Sequence, residues 1–346
     1  MLGFTREVEV MQYCGKKPIY KTAPLCEVIG THAARRTFVV HAMEQGMSPE
    51  MVTNQMYDAI LGIEPFKSFK EYFNVYQLTL VSKNEDPVIG ETALGISSDY
   101  GGFSFPYDEL EKTKQMLQEL FPSIDLNRLT ISIATKSKSA EFAGSALWYN
   151  SPSNDLSASG LGIGITHYEP GLESFPGTVQ HEVCGHAFGK LADEYVIGVG
   201  EVLPDELRQV IVGFHENDWM VNIDITSNPE EIIWKHFLDE SAYAGADIGI
   251  FEGGYMYYGS GVWRPSDDSI MRHSSSDEFN GPSREILYKR IHQEAFGADW
   301  VYDWNSFIEW DRKNIRKPSS VPAIKRESMQ KQNDSHHKSC VRILVD

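Results

Sequence analysis

Residues 180–195 read QHEVCGHAFGKLADEY and crowd metal-binding and proton-transferring side chains into sixteen positions. His181 and His186 offer imidazole nitrogens, Glu182 a carboxylate beside the first of them. Catalytic zinc takes three protein ligands and leaves one position for water, and an acid next to a ligand is placed to deprotonate that water. The familiar pattern H-E-x-x-H spaces its histidines four apart; here they are five apart. An α-helix turns about 100° per residue, so histidines four apart lie about 40° from each other and five apart about 140°. The wider angle prevents chelation of one ion. A π-turn, with about 4.4 residues per turn, brings the five-residue offset back to about 50°, and such turns occur mostly at functional sites. Metal binding therefore predicts a helix distorted between Glu182 and His186, with Gly185 giving the backbone freedom to absorb the irregularity. Gly189 can end the helix and turn the chain back, leaving Asp193 or Glu194 to supply a third ligand. Cys184 reads as a small core residue, the usual fate of a free cysteine.

The elements that must position these groups are legible upstream. Residues 36–42 (RTFVVHA) read as a buried strand, and 48–63 as a helix with Met51, Met56, Ile60 and Leu61 on one stripe and Ser48 as its N-cap. Residues 73–82 form a β-branched and aromatic strand ending at KNEDP. Residues 108–120 are helical and closed by Pro122; 128–135, 147–150 and 161–166 (LGIGIT) are further strands. Pro176 suits the first turn of the motif helix. Val179, Val183, Ala187 and Leu191 give that helix a core face. Strands alternating with helices predict an α/β fold with a twisted, mostly parallel sheet.

Composition narrows the partners. The chain has 346 residues, 41% hydrophobic and 23% charged, with a net charge of −18. An acidic surface disfavours nucleic acid and anionic membranes. The ends differ from the middle: residues 1–36 hold six Lys/Arg against three Asp/Glu, and 311–346 nine against four. They read as solvated basic ends, poorly packed, around a core of about 37–315 that limited proteolysis would leave. Cys14, Cys26, Cys184 and Cys340 have neither zinc-ribbon spacing nor a disulfide-scaffold pattern. No stretch reaches the roughly 18 apolar residues of a membrane span. The first eighteen residues show no signal-peptide h-region.

HEVCGHAFGKLADEY resembles the active-site signature of the IgA-peptidase family of bacterial zinc metallopeptidases, which runs into L-A-D-E-Y and includes glycine-containing H-E-x-x-G-H variants. EPFKSFKEYFNVYQLTLVSKNE (64–85) is similar to that family's entry strand, and GVWRPSDDSIMRHSSSDEFNGPSREILYKRI (261–291) to its Met-turn region. The resemblance covers about residues 37–315. It implies a metzincin-like catalytic domain with an active-site helix and a C-terminal Met-turn subdomain, between an atypical extension (1–36) and a basic tail (316–346). It further implies His181, His186 and Asp193 as Zn2+ ligands, Glu182 as general base and Met271 as the Met-turn residue. Asp193 lies seven after His186, where the common metzincin pattern places its ligand at six, so Glu194 is the alternative. The family is exported, which implies a secreted or cell-envelope protein and, with no signal visible, a truncated or altered start.

The function expected is a zinc-dependent endopeptidase acting on protein or peptide by metal-activated water. Tyr195, Tyr257, Tyr258 and Arg272 are candidate donors to the anionic intermediate. Two alternatives stand beside it. One is an inactive, metal-containing binding module on the same scaffold, which the intact Glu182 argues against. The other is a non-haem iron site of two histidines and a carboxylate, which leaves Glu182 without a task.

Overall fold

The computed structural model describes residues 7–14, 17–24, 36–42, 49–80, 82, 87, 92–99, 102–122, 124–135, 144–149, 160–168, 171–297, 299–316 and 341–344. The chain opens with a hairpin of β1 (Glu7–Cys14) and β2 (Lys17–Pro24). There follow β3 (Arg36–Ala42), α1 (Pro49–Ile60), β4 (Phe73–Thr79), β5 (Ser97–Asp99), β6 (Gly102–Ser104) and α2 (Tyr107–Leu120). Next come β7 (Leu129–Thr135), β8 (Gly144–Tyr149), β9 (Leu161–His167) and α3 (Phe175–Val179), which runs into a π-helix (Gln180–Phe188). The remainder holds β10 (Val196–Val202), α4 (Asp205–His215), α5 (Lys235–Asp239), β11 (Phe251–Gly254), β12 (Met256–Arg264), α6 (Gly281–Phe296), α7 (Trp304–Asp311) and β13 (Val341–Leu344).

A six-stranded sheet in the order β13-β8-β9-β7-β3-β4 forms the centre of a mixed α/β fold. Only the β8–β9 pair is antiparallel; its other neighbours run parallel. β7 and β9 are buried along their whole length, as strands covered on both faces must be. One face carries Leu129, Ile131, Ile133, Ile163 and Ile165 against Leu110 and Leu117 of α2. On the other, the core combines Val52, Met56 and Ile60 of α1 with Val183 and Phe188 of the π-helix, Met271, and Leu287 of α6.

The alternation in LGIGITH decides how the motif helix sits. A Cβ on Gly162 would lie 1.9 Å from the Ala187 carbonyl oxygen, and one on Gly164 would lie 2.6 Å from Val183 Cγ2. The π-helix therefore rests directly on the glycine face of β9, while the isoleucines fill the opposite layer. Trp148 of β8 adds a hydrogen bond from its indole Nε1 to the His186 carbonyl at 2.8 Å.

Several expectations change in detail. Helix α1 turns Val52, Met56, Ala59 and Ile60 inward, whereas Met51 is 41% exposed and off the stripe. Ser48, read as its N-cap, lies outside the described residues. The charged ends contain regular structure: β1 and β2 pair with each other, and β13 lies along the outer edge of β8, in the same sheet as the core. The rest of both ends lies outside the described residues. Downstream, α6 is fastened to α7 by a buried two-pronged pair, Arg284 Nε to Asp311 Oδ1 at 2.6 Å and Nη2 to Oδ2 at 2.9 Å. Among the described residues no helix is long and apolar enough to cross a membrane.

Candidate metal centre

The helix bearing the motif is a π-helix over Gln180–Phe188, and its last turn continues the wide spacing, with Gly189 N–H donating to the Cys184 carbonyl at 3.0 Å. The two imidazoles consequently come to one side, ring centres 4.6 Å apart and planes at 82°. This is the distortion the five-residue spacing requires. Gly185 serves it differently from the expectation: it does not adopt a positive φ. Its role is space, since a Cβ there would lie 2.1 Å from Met271 Sδ. The left-handed residue that turns the chain back is Lys190, φ 54°, and not Gly189, φ −76°.

His181 Nε2, His186 Nε2 and Asp193 Oδ1 lie 3.0 Å from one another on all three sides, and all three residues are buried. Each ring is oriented from behind. His181 Nδ1 donates to the Ile270 carbonyl at 2.8 Å and His186 Nδ1 to the Leu191 carbonyl at 2.7 Å. A carbonyl only accepts, so the proton of each neutral ring sits on Nδ1 and the Nε2 lone pairs face each other and a carboxylate oxygen. Three acceptors converging in a buried place repel one another unless a cation or proton lies among them. Ligands of a tetrahedral zinc ion, with bonds of about 2.0–2.1 Å, stand about 3.3 Å apart, close to the observed triangle. The donor set fits the ion. Among the described residues this is the one group of three or more His, Cys, Asp or Glu side chains close enough to share a metal. Burial pushes the Asp193 carboxyl up; positive charge on the two facing imidazoles, a proton in place of a metal, is what brings it below the usual carboxylate range.

Glu194 is turned the other way. It is buried, and its oxygens accept from Ser269 Oγ at 2.6 Å, Asn222 Nδ2 at 2.9 Å and Asn280 Nδ2 at 2.9 and 3.1 Å. Burial raises its carboxyl above the ordinary value despite those donors. Glu182 is buried and lies against β8, where a Cβ on Gly144 would meet its Cγ at 2.6 Å and its Oε1 at 2.9 Å. Gly144 thus makes room for the carboxylate. Cys184 is core, its thiol pushed well up by burial.

The candidate donors separate. Tyr195 has its ring centre 6.1 Å from that of His181. Tyr257 is 50% exposed on β12, and Tyr258 stacks on Tyr255 at 6.0 Å. Arg272 is engaged by the Asp267 carboxylate and carbonyl. Tyr255, which the sequence does not single out, is tied to the loop of Asp193 through its backbone: its N–H donates to the Asp193 carbonyl at 2.8 Å. Burial, Tyr258 and the charge of Asp193 all raise its phenol. Tyr255 and Met256 both have positive φ, 51° and 68°, a conformation costly for residues with a Cβ. Gly144, Asn222 and Asn280 also escape sequence reading, because no local pattern links them to residues 180–195.

The Met271 contact gives a direct expectation. Gly185→Ala drives a methyl into the thioether, and overpacking of this kind costs about 1–3 kcal/mol. Combined with Met271→Ala, which by itself leaves a cavity, the loss should be less than the sum of the two single variants. Urea denaturation of the four proteins measures this coupling; strict additivity would show that the two side chains do not meet.

Comparison of the chain with known protein-family models and with curated proteins finds no match to either.

Proposed function

We propose that this protein is a zinc-dependent endopeptidase with a metzincin-like arrangement, in which His181, His186 and Asp193 hold the metal. The observation that carries the reading is the triangle of Nε2, Nε2 and Oδ1 atoms with both Nδ1 protons committed to carbonyls. The resemblance of HEVCGHAFGKLADEY to the IgA-peptidase signature supports the same reading. A zinc ion held there supplies Lewis acidity, polarising a peptide carbonyl and acidifying water near neutral pH. Glu182, fixed against Gly144, takes the proton from the attacking water on its carboxylate and returns it to the departing amine nitrogen. Burial of that carboxylate keeps competing solvent from its proton. Tyr195, whose ring centre lies 6.1 Å from that of His181, is the side chain assigned here as donor to developing oxyanion charge.

Incubation of the zinc-loaded protein with a mixed peptide library, with products mapped by mass spectrometry, tests the reading. New internal termini that vanish on adding a chelator are expected. An intact library in the presence of one bound zinc per chain would favour the binding module instead.

A further inference from the structure

We infer that Glu194 is a positioning residue for the metal group, coupling the loop that bears Asp193 to the turn that orients His181. The inference rests on the metal reading above but not on peptidase activity. Glu194 follows Asp193 directly, and its backbone N–H donates to the Met271 carbonyl at 2.9 Å. Its side chain receives Ser269 Oγ, and Ser269 adjoins Ile270, whose carbonyl takes the His181 Nδ1 proton. One carboxylate is thus a single residue from one ligand and a hydrogen bond plus a residue from the group that sets another.

The remaining donors widen the clasp. Asn222 Nδ2 reaches both Glu194 Oε1 at 2.9 Å and the Ala192 carbonyl at 2.8 Å, while its Oδ1 accepts from Ala192 N–H at 2.8 Å. Residues 192–194 are therefore held on backbone and side chain at once. Asn280 donates to both Glu194 oxygens and caps α6, its Oδ1 accepting from Ser283 N–H at 3.0 Å. Three segments distant in sequence meet on this side chain. The Ser269, Asn222 and Asn280 groups all present donors, which a carboxylate satisfies and an apolar side chain leaves stranded.

Groups that orient metal ligands from behind typically contribute about 10–100-fold to metal affinity. Glu194→Ala should therefore raise the zinc dissociation constant by about 10–100-fold, measured by competition with a chromophoric chelator. It should also shift the visible absorption of the cobalt-substituted protein, which reports ligand geometry. Glu194→Gln, which keeps the shape and one acceptor oxygen but turns an amide NH2 toward donors, should restore only part of the affinity. Phe307→Leu, a core change in another cluster, should leave zinc affinity and the cobalt spectrum unchanged. If Glu194→Ala does not fold, Ser269→Ala, which removes the side-chain bond between Glu194 and residues 269–271, should still weaken zinc by several-fold, about the value of one buried hydrogen bond.

Affinity and spectrum equal to wild type in Glu194→Ala, or in Ser269→Ala where that variant stands in, would overturn the inference. So would an equal loss in Phe307→Leu. A wild-type protein that binds zinc and cleaves nothing sinks the peptidase reading while these affinities still judge Glu194. A wild type that takes no zinc sinks both.

Discussion

Glu182→Ala is expected to lower the turnover of peptide hydrolysis by about 10² or more, the scale of a lost general base, with zinc content still near one equivalent. The separation of the two readouts follows from placement. Glu182 is absent from the triangle formed by His181, His186 and Asp193, and its carboxylate lies against Gly144 of β8. On the proposed mechanism, removing it takes away the group that accepts and returns a proton without removing a metal bond. Parallel measurement of kcat, KM and bound metal on wild type and variant checks this. Full activity in Glu182→Ala would end the proposed mechanism; loss of zinc in that variant would make Glu182 a ligand instead.

Asp193→Ala should abolish activity by a different route, through loss of the metal. The carboxylate oxygen lies 3.0 Å from both Nε2 atoms and brings the only negative charge to the group. Without it two imidazoles remain, one ligand short of a catalytic zinc site. A ligand that binds only the folded state stabilises it by about 4 kcal/mol when present at a thousand times its dissociation constant. Wild type should therefore lose stability to a chelator in thermal melts, and Asp193→Ala should show no response because it has no zinc to lose. His181→Ala and His186→Ala should behave alike. Retention of stoichiometric zinc by Asp193→Ala would show that the third ligand is another group.

The meeting of His181 and His186 was legible because a helix is local. Residues five apart reach one ion only through a π-turn, so spacing and chemistry together required the distortion at Gln180–Phe188. The strands at Arg36–Ala42, Leu129–Thr135 and Leu161–His167 were legible for the same reason, as short apolar or alternating runs. The C-terminal third was less so. Residues 251–264 and 281–311 pack through scattered aromatics and buried polar pairs such as Arg284–Asp311, which leave no period in the sequence.

What the sequence determined by itself was a chemical inventory and its tether: two imidazoles, an adjacent carboxylate and a choice of two acids beyond Gly189. The choice between those acids belonged to the tertiary structure. Asp193 and Glu194 are neighbours of the same charge. Which one meets the histidines depends on what awaits the other, and Ser269, Asn222 and Asn280 arrive from three remote segments to hold Glu194. The role of Gly185 was decided likewise. Its backbone needs no special φ; the approach of Met271 from 86 residues away makes a side chain there impossible without movement. Contacts between distant segments have no spacing to read, and only the folded chain brings their partners within van der Waals reach.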